Sequence, residues 1–115
     1  MSKRSRACEF SEKARQEIIK RDKECIFCKM NYHMPPEEFT ASGGLQIMHF
    51  IPRSQGGLGI PKNGALGCIY HHMLLDNGRD TREDMMLMFQ DYLVRHYENW
   101  NRKELVYDKW DFLRR

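Results

Sequence analysis

The sequence contains no apolar run approaching the roughly 18 residues that cross a bilayer, so no transmembrane helix is expected. Its start, MSKRSRACEF, is charged and lacks the apolar stretch of a secretory signal, which makes a cytoplasmic location the default expectation. It has no internal repeat, no low-complexity tract and no evident linker, and 115 residues suit one domain, 1–115, around a single core. With 41% hydrophobic and 30% charged residues, the composition excludes a disordered chain.

What is present is unevenly placed. The net charge is only +3, yet residues 3–29 hold Lys3, Arg4, Arg6, Lys13, Arg15, Lys20, Arg21, Lys23 and Lys29 against five acids. Such an excess can meet phosphates, or simply cover an exposed helix and tail. Cysteine is limited to Cys8, Cys25, Cys28 and Cys68. In a reducing compartment, a close pair with a distant Cys and His points to metal before disulfide, and a small core gains from such a staple.

Ser11 is a candidate cap for a helix running to about Asp22, with Ala14, Ile18 and Ile19 as its apolar stripe. The Pro-containing stretch NYHMPPEEFTASGG is expected to form a loop without regular structure. LQIMHF reads as a strand, PRSQGGLGIPKNG as a long hairpin loop, and ALGC as the returning strand. IYHHMLLDNG reads as a short helix stopped at Asn77-Gly78. Thr81 with Asp84 signals a helix start, followed by Met85, Met88, Phe89, Tyr92, His96 and Tyr97 at helical spacing. This Met-rich stripe is read as core. Asn101 with Glu104 predicts a last helix carrying Leu105, Trp110 and Leu113. His33 and His96 are read as surface or packing residues.

Two matched spacings carry the chemistry. Cys25-Ile-Phe-Cys28 lets two thiolates grip one ion from a tight knuckle, and Cys68-Ile-Tyr-His71 supplies a second pair at the far end of the hairpin. Thiolates and imidazole suit one structural Zn²⁺. The spacing favours His71 over His72 as the fourth ligand, without fixing it, and Cys8 is read as a spare. Neighbouring residues on a helix diverge by about 100°, so His72 is expected to face elsewhere, sharing its side of the helix with Asp76. An imidazole and a carboxylate so placed can hold a divalent ion. His49, on the packed strand, could then act as base on a water attacking a phosphodiester. The Asn63 amide is positioned to tie the hairpin loop across and hold the backbone near His49.

Together these residues resemble the HNH endonuclease family. Cys25-x2-Cys28, His49-Phe-Ile-Pro-Arg-Ser-Gln-Gly-Gly, Asn63 and Cys68-x2-His71-His72 follow its zinc-stapled branch in order and spacing, and look like small phage- or prophage-encoded HNH proteins. The resemblance spans about residues 15–80. It implies an α+β fold with a small ββα-metal, treble-clef-like core, a zinc-stapled hairpin, and flanking N-terminal and C-terminal helices, the latter over about 81–115. It also implies cleavage of double-stranded DNA with Mg²⁺ or another divalent cation. By position, His49 is then the general base, Asn63 the loop-ordering residue and His72 a ligand of the catalytic metal.

Two positions depart from the family. His71 stands in place of the fourth zinc cysteine, an exchange imidazole readily allows. Met48 stands where the family supplies a carboxylate or histidine ligand, and a thioether is a poor partner for Mg²⁺. Asp76 is the candidate to supply the missing oxygen, its other open role being to cap the helix end.

Two functions follow as expectations. One is a metal-dependent DNA endonuclease of weak sequence specificity, with the helix near the minor groove and Arg53, Lys62, Lys3, Arg4 and Arg6 meeting phosphates. It would work in a phage-infected bacterial host, in mobility or beside the packaging machinery. The other is an inactive zinc-binding scaffold that binds protein or DNA, such as a phage inhibitor of a CRISPR effector nuclease. The aromatic, charged C-terminus WNRKELVYDKWDFLRR resembles a contact surface of that kind.

Overall fold

The computed structural model describes residues 1–40 and 44–113; residues 41–43, at the end of the Pro-containing stretch, and 114–115 lie outside the described residues. The elements run α1 (Lys3–Cys8), α2 (Glu12–Asp22), α3 (Ile26–Lys29), α4 (Glu37–Thr40), β1 (Leu45–His49), β2 (Gly64–Cys68), α5 (Ile69–Asn77) and α6 (Asp80–His96). Short 3₁₀ turns fill the hairpin loop and the C-terminal segment. The result is a small α+β fold with a two-stranded antiparallel sheet and three helices of nine residues or more. No helix among the described residues is long and apolar enough to cross a membrane.

Strand β1 pairs with β2 from Leu45 opposite Cys68 to His49 opposite Gly64. Side chains alternate across a strand, and both faces of this sheet are covered. Ile47 and Leu66 meet Phe10, Ala14 and Ile18 from the N-terminal segment and α2. Met48 and Ala65 join Ile26, Phe27, Leu75, Met85, Phe89 and Leu93 in the larger core. Gly67 makes room for Met48: a Cβ there would stand 2.3 Å from the thioether sulfur. A two-stranded hairpin is marginal alone, so this double cover is what fixes its register.

Ser11 caps α2 as expected, its Oγ accepting from the Ala14 amide at 3.1 Å. Ile19, however, is exposed, and the buried residue at the helix end is Asp22. Its carboxylate accepts the Leu66 amide at 2.9 Å and the Tyr92 hydroxyl at 2.6 Å, and pairs with Arg21. Arg21 also donates to the Pro61 and Gly64 carbonyls. One charge pair thus ties α2 to β2 and α6. Removing one partner of a buried pair strands the other, so Asp22→Ala is expected to cost about 3–5 kcal/mol in urea unfolding of the metal-loaded protein. A loss under 1 kcal/mol would show the network to be idle.

Three expectations are corrected. The Pro-containing stretch carries one helical turn, α4, after Pro36, with Glu37 and Glu38 favouring its first turn. Helix α6 begins at Asp80, placing Thr81 inside its first turn, and buries Leu93 where the stripe had named the exposed His96. The last helix is replaced by two separate 3₁₀ turns, Arg102–Leu105 and Asp111–Leu113, although Asn101 does cap the first. Tertiary pairing overrides the local signal there: Leu58 donates to Leu105, Tyr107 donates to Gly56, and Gly57 bridges Val106. Leu105 is buried, while Trp110 and Leu113 are exposed.

Candidate metal centre and adjoining cleft

Helix α3 begins immediately after Cys25, and one helical turn brings Cys28 beside it. At the other end of the hairpin, Cys68 caps α5 and accepts from the His71 amide at 3.5 Å. The His71 Nδ1 lies 3.4, 3.5 and 3.2 Å from the sulfurs of Cys25, Cys28 and Cys68, and the Cys28 and Cys68 sulfurs are 3.9 Å apart. A zinc tetrahedron has S–S edges of about 3.8 Å and S–N edges of about 3.6 Å, from its bond lengths. The donors are therefore already spaced as ligands.

His71 Nε2 is 2.6 Å from the Tyr32 carbonyl. With its proton donated there, Nδ1 is left as a lone pair aimed at the sulfurs, the kind of hydrogen bond that orients metal-ligating histidines. Burial, then repulsion from Cys25 and Cys68, pushes the Cys28 thiol up to about 12. A dication among the sulfurs reverses that penalty and releases protons. Cys25, Cys28, Cys68 and His71 can hold a metal ion, consistent with one structural zinc; they are the only such group of three or more donors among the described residues.

On the far side of α5 lies a cleft of about 200 Å³, whose lining includes His49, Arg53, His72, Asp76 and Arg82. His72 Nε2 stands 3.4 Å from Asp76 Oδ2, as one-turn spacing on a helix requires. His72 Nδ1 is 2.5 Å from Gln46 Oε1. Two protein donors leave most of a divalent ion's shell to water or phosphate oxygen, the way Mg²⁺ is commonly held.

His49 is half-buried at the end of β1. Its Nε2–H donates to the Cys8 carbonyl at 2.8 Å, and its ring packs at 4.4 Å on Phe10. Nδ1 is then the basic nitrogen. Burial, with Arg53 and His72 nearby, holds the His49 imidazole below its ordinary value, against the opposing pull of the Cys8 carbonyl. It is neutral, and able to accept a proton, at physiological pH. The N-terminal segment reaches it because Gly59 has no side chain: a Cβ there would stand 2.2 Å from the Glu9 backbone, and the Gly59 amide donates to Ala7.

Asn63 is fully buried. Its Oδ1 accepts from the Ile51 amide at 2.8 Å and its Nδ2 donates to the Leu58 carbonyl at 2.8 Å, lacing the hairpin loop together just beyond His49. Met48 is 0% exposed in the core and forms no part of the cleft wall. Among the expected phosphate contacts, Arg53 lines the cleft but also donates to Ser5, and Arg4 donates to Ser54, so both hold α1 against the loop. Lys3 lines a separate groove against the C-terminal segment, the Lys62 carbonyl accepts from Trp100, and Arg6 is exposed on α1.

Sequence reasoning missed Gln46, Arg82, Phe10 and the carbonyls of Cys8 and Tyr32. Gln46 had a usable signal, since it shares a strand face with Met48 two residues on. Backbone carbonyls carry none. No family model, curated protein or solved structure matches the chain.

Proposed function

We propose that this protein is a metal-dependent DNA endonuclease of the HNH type, phage- or prophage-encoded, in which zinc at Cys25, Cys28, Cys68 and His71 staples a ββα-metal core. The observation that carries this reading is the cleft, which His49, the His72–Asp76 pair, Arg53 and Arg82 line together. His49 Nδ1 takes the proton of the attacking water, with Nε2 held by Cys8. His72 and Asp76 would hold the divalent cation, which would offset the negative charge on the phosphate and the leaving oxygen. Arg53 and Arg82 neutralise the flanking phosphate charge. Asn63 keeps the loop, and with it the His49 backbone, in place.

Supercoiled plasmid should be nicked in the presence of Mg²⁺, Mn²⁺ or Ni²⁺; no nicking with any of them would reject the reading. Asp76→Ala is expected to abolish Mn²⁺ binding while zinc content stays at one per chain. Unchanged Mn²⁺ affinity would remove Asp76 from the site.

A second reading draws on Met48, which contributes no donor, and on the exposed Trp110, Phe112 and Leu113. In it the zinc scaffold has lost cleavage and binds DNA or a protein, as an inhibitor of a CRISPR effector nuclease would. Metal-independent binding without nicking is its signature.

A further inference from the structure

The oxygen of Gln46 lies 2.5 Å from His72 Nδ1, on the opposite side of the ring from Asp76. Gln46 and Met48 occupy one face of β1, but Met48 turns into the core while Gln46, nearer the exposed end, reaches across to α5. The residue opposite Gln46 on β2 is Gly67, so no cross-strand side chain competes for that space. An amide oxygen is an acceptor only, and therefore fixes the proton of a neutral imidazole on Nδ1. The Nε2 lone pair then points at the Asp76 carboxylate 3.4 Å away. Those two atoms are brought together either by a second proton, on Nε2, or by a cation that both bind.

We propose that Gln46 is the positioning residue of the divalent-cation site: its side-chain oxygen selects the His72 tautomer that offers Nε2, alongside Asp76, to the ion. The inference rests on the cleft being the metal site of the proposed nuclease, and it assigns to β1 a part in that site which Met48 does not take. Gln46 does not touch the ion. It acts through His72, as outer-sphere partners of metal-ligating histidines do, where their loss typically weakens metal binding about 10–100-fold.

The test uses the full-length, zinc-loaded protein with Mn²⁺ as probe, its affinity read by calorimetry and by the paramagnetic signal of the free ion. Gln46→Leu keeps a similar size and removes the acceptor; Gln46→Glu keeps the acceptor. Gln46 is exposed, so both variants are expected to retain the fold, with zinc content as the check. The Leu variant is expected to bind Mn²⁺ at least tenfold more weakly and the Glu variant about as well as wild type. Imidazole ¹⁵N shifts without Mn²⁺ should report the Nδ1–H form of His72 in wild type and a tautomer mixture in Gln46→Leu. Wild-type Mn²⁺ affinity in Gln46→Leu, or an unchanged tautomer, overturns the proposal. Should Mn²⁺ binding depend on Asp76 but not on Gln46, the nuclease reading stands and this inference alone fails. Absence of any Mn²⁺ binding in wild type overturns both.

Discussion

Stripping metal from the Cys25, Cys28, Cys68 and His71 site, or replacing Cys28 with Ser, is expected to unfold the protein and not merely to soften one end of it. The elements joined at the metal cannot stand alone. Helix α3 is a single turn, the sheet has two strands, and Ile26 and Phe27, both fully buried, belong to the knuckle itself. Structural zinc sites contribute on the order of 10 kcal/mol to folding, comparable to the whole stability of about 5–15 kcal/mol of an ordinary domain. Without the ion the balance falls near zero. Far-UV circular dichroism and amide proton dispersion should collapse on chelation and recover when Zn²⁺ is returned. A metal-free chain that still melts cooperatively within a few degrees of the loaded one would show the four donors to be incidental.

The second large effect is expected on the proposed DNA cleavage. His49→Ala should lower DNA cleavage by about 10²–10⁴-fold, the usual contribution of a positioned general base, while leaving Mn²⁺ and zinc binding intact. In wild type, the rate should rise with pH through the His49 titration and level off, because the neutral ring is the active form. Burial holds that titration below the ordinary imidazole value, so the acid limb should lie on the acidic side of it. The same shift affects stability. Between the folded and unfolded pKa values the unfolded chain binds more protons, so this residue's contribution is present at neutral pH and lost as the pH falls through that window. A variant as active as wild type, or a rate that falls as the pH is raised from 5 to 7, would rule out His49 as the base.

The parts of this molecule legible in the sequence are those fixed by covalent spacing. Two residues between Cys25 and Cys28, and two between Cys68 and His71, determine which donors share a turn, and the hairpin between them follows from apolar strands flanking a Gly- and Pro-rich loop. The His72–Asp76 pairing is likewise a matter of helical period. What stayed hidden depends on register or on docking between distant segments. Gln46 meets His72 only once the strand is aligned and packed on α5. Arg82 and Met86 enter the cleft from α6, outside the hairpin and helix that hold the rest. The C-terminal segment has a sound helix-start signal at Asn101, yet backbone pairing with Gly56, Gly57 and Leu58 pulls it out of helix after one turn. Met48 illustrates the reverse. Its oddity was visible beside His49, but only the packing over Gly67 explains it, as a residue committed to the interior.

The acceptor that aligns His49 belongs to Cys8, a residue that emerges from the ribosome long before the hairpin does. Phe10 covers one face of the sheet and also packs on the His49 ring, so docking of the first ten residues completes the core and aligns the imidazole together. In the proposed nuclease, the contact of the leading segment with Gly59 would therefore serve the sheet and the base alike. An appendage that keeps this segment from seating is expected to uncover Leu66 and leave the imidazole without its acceptor.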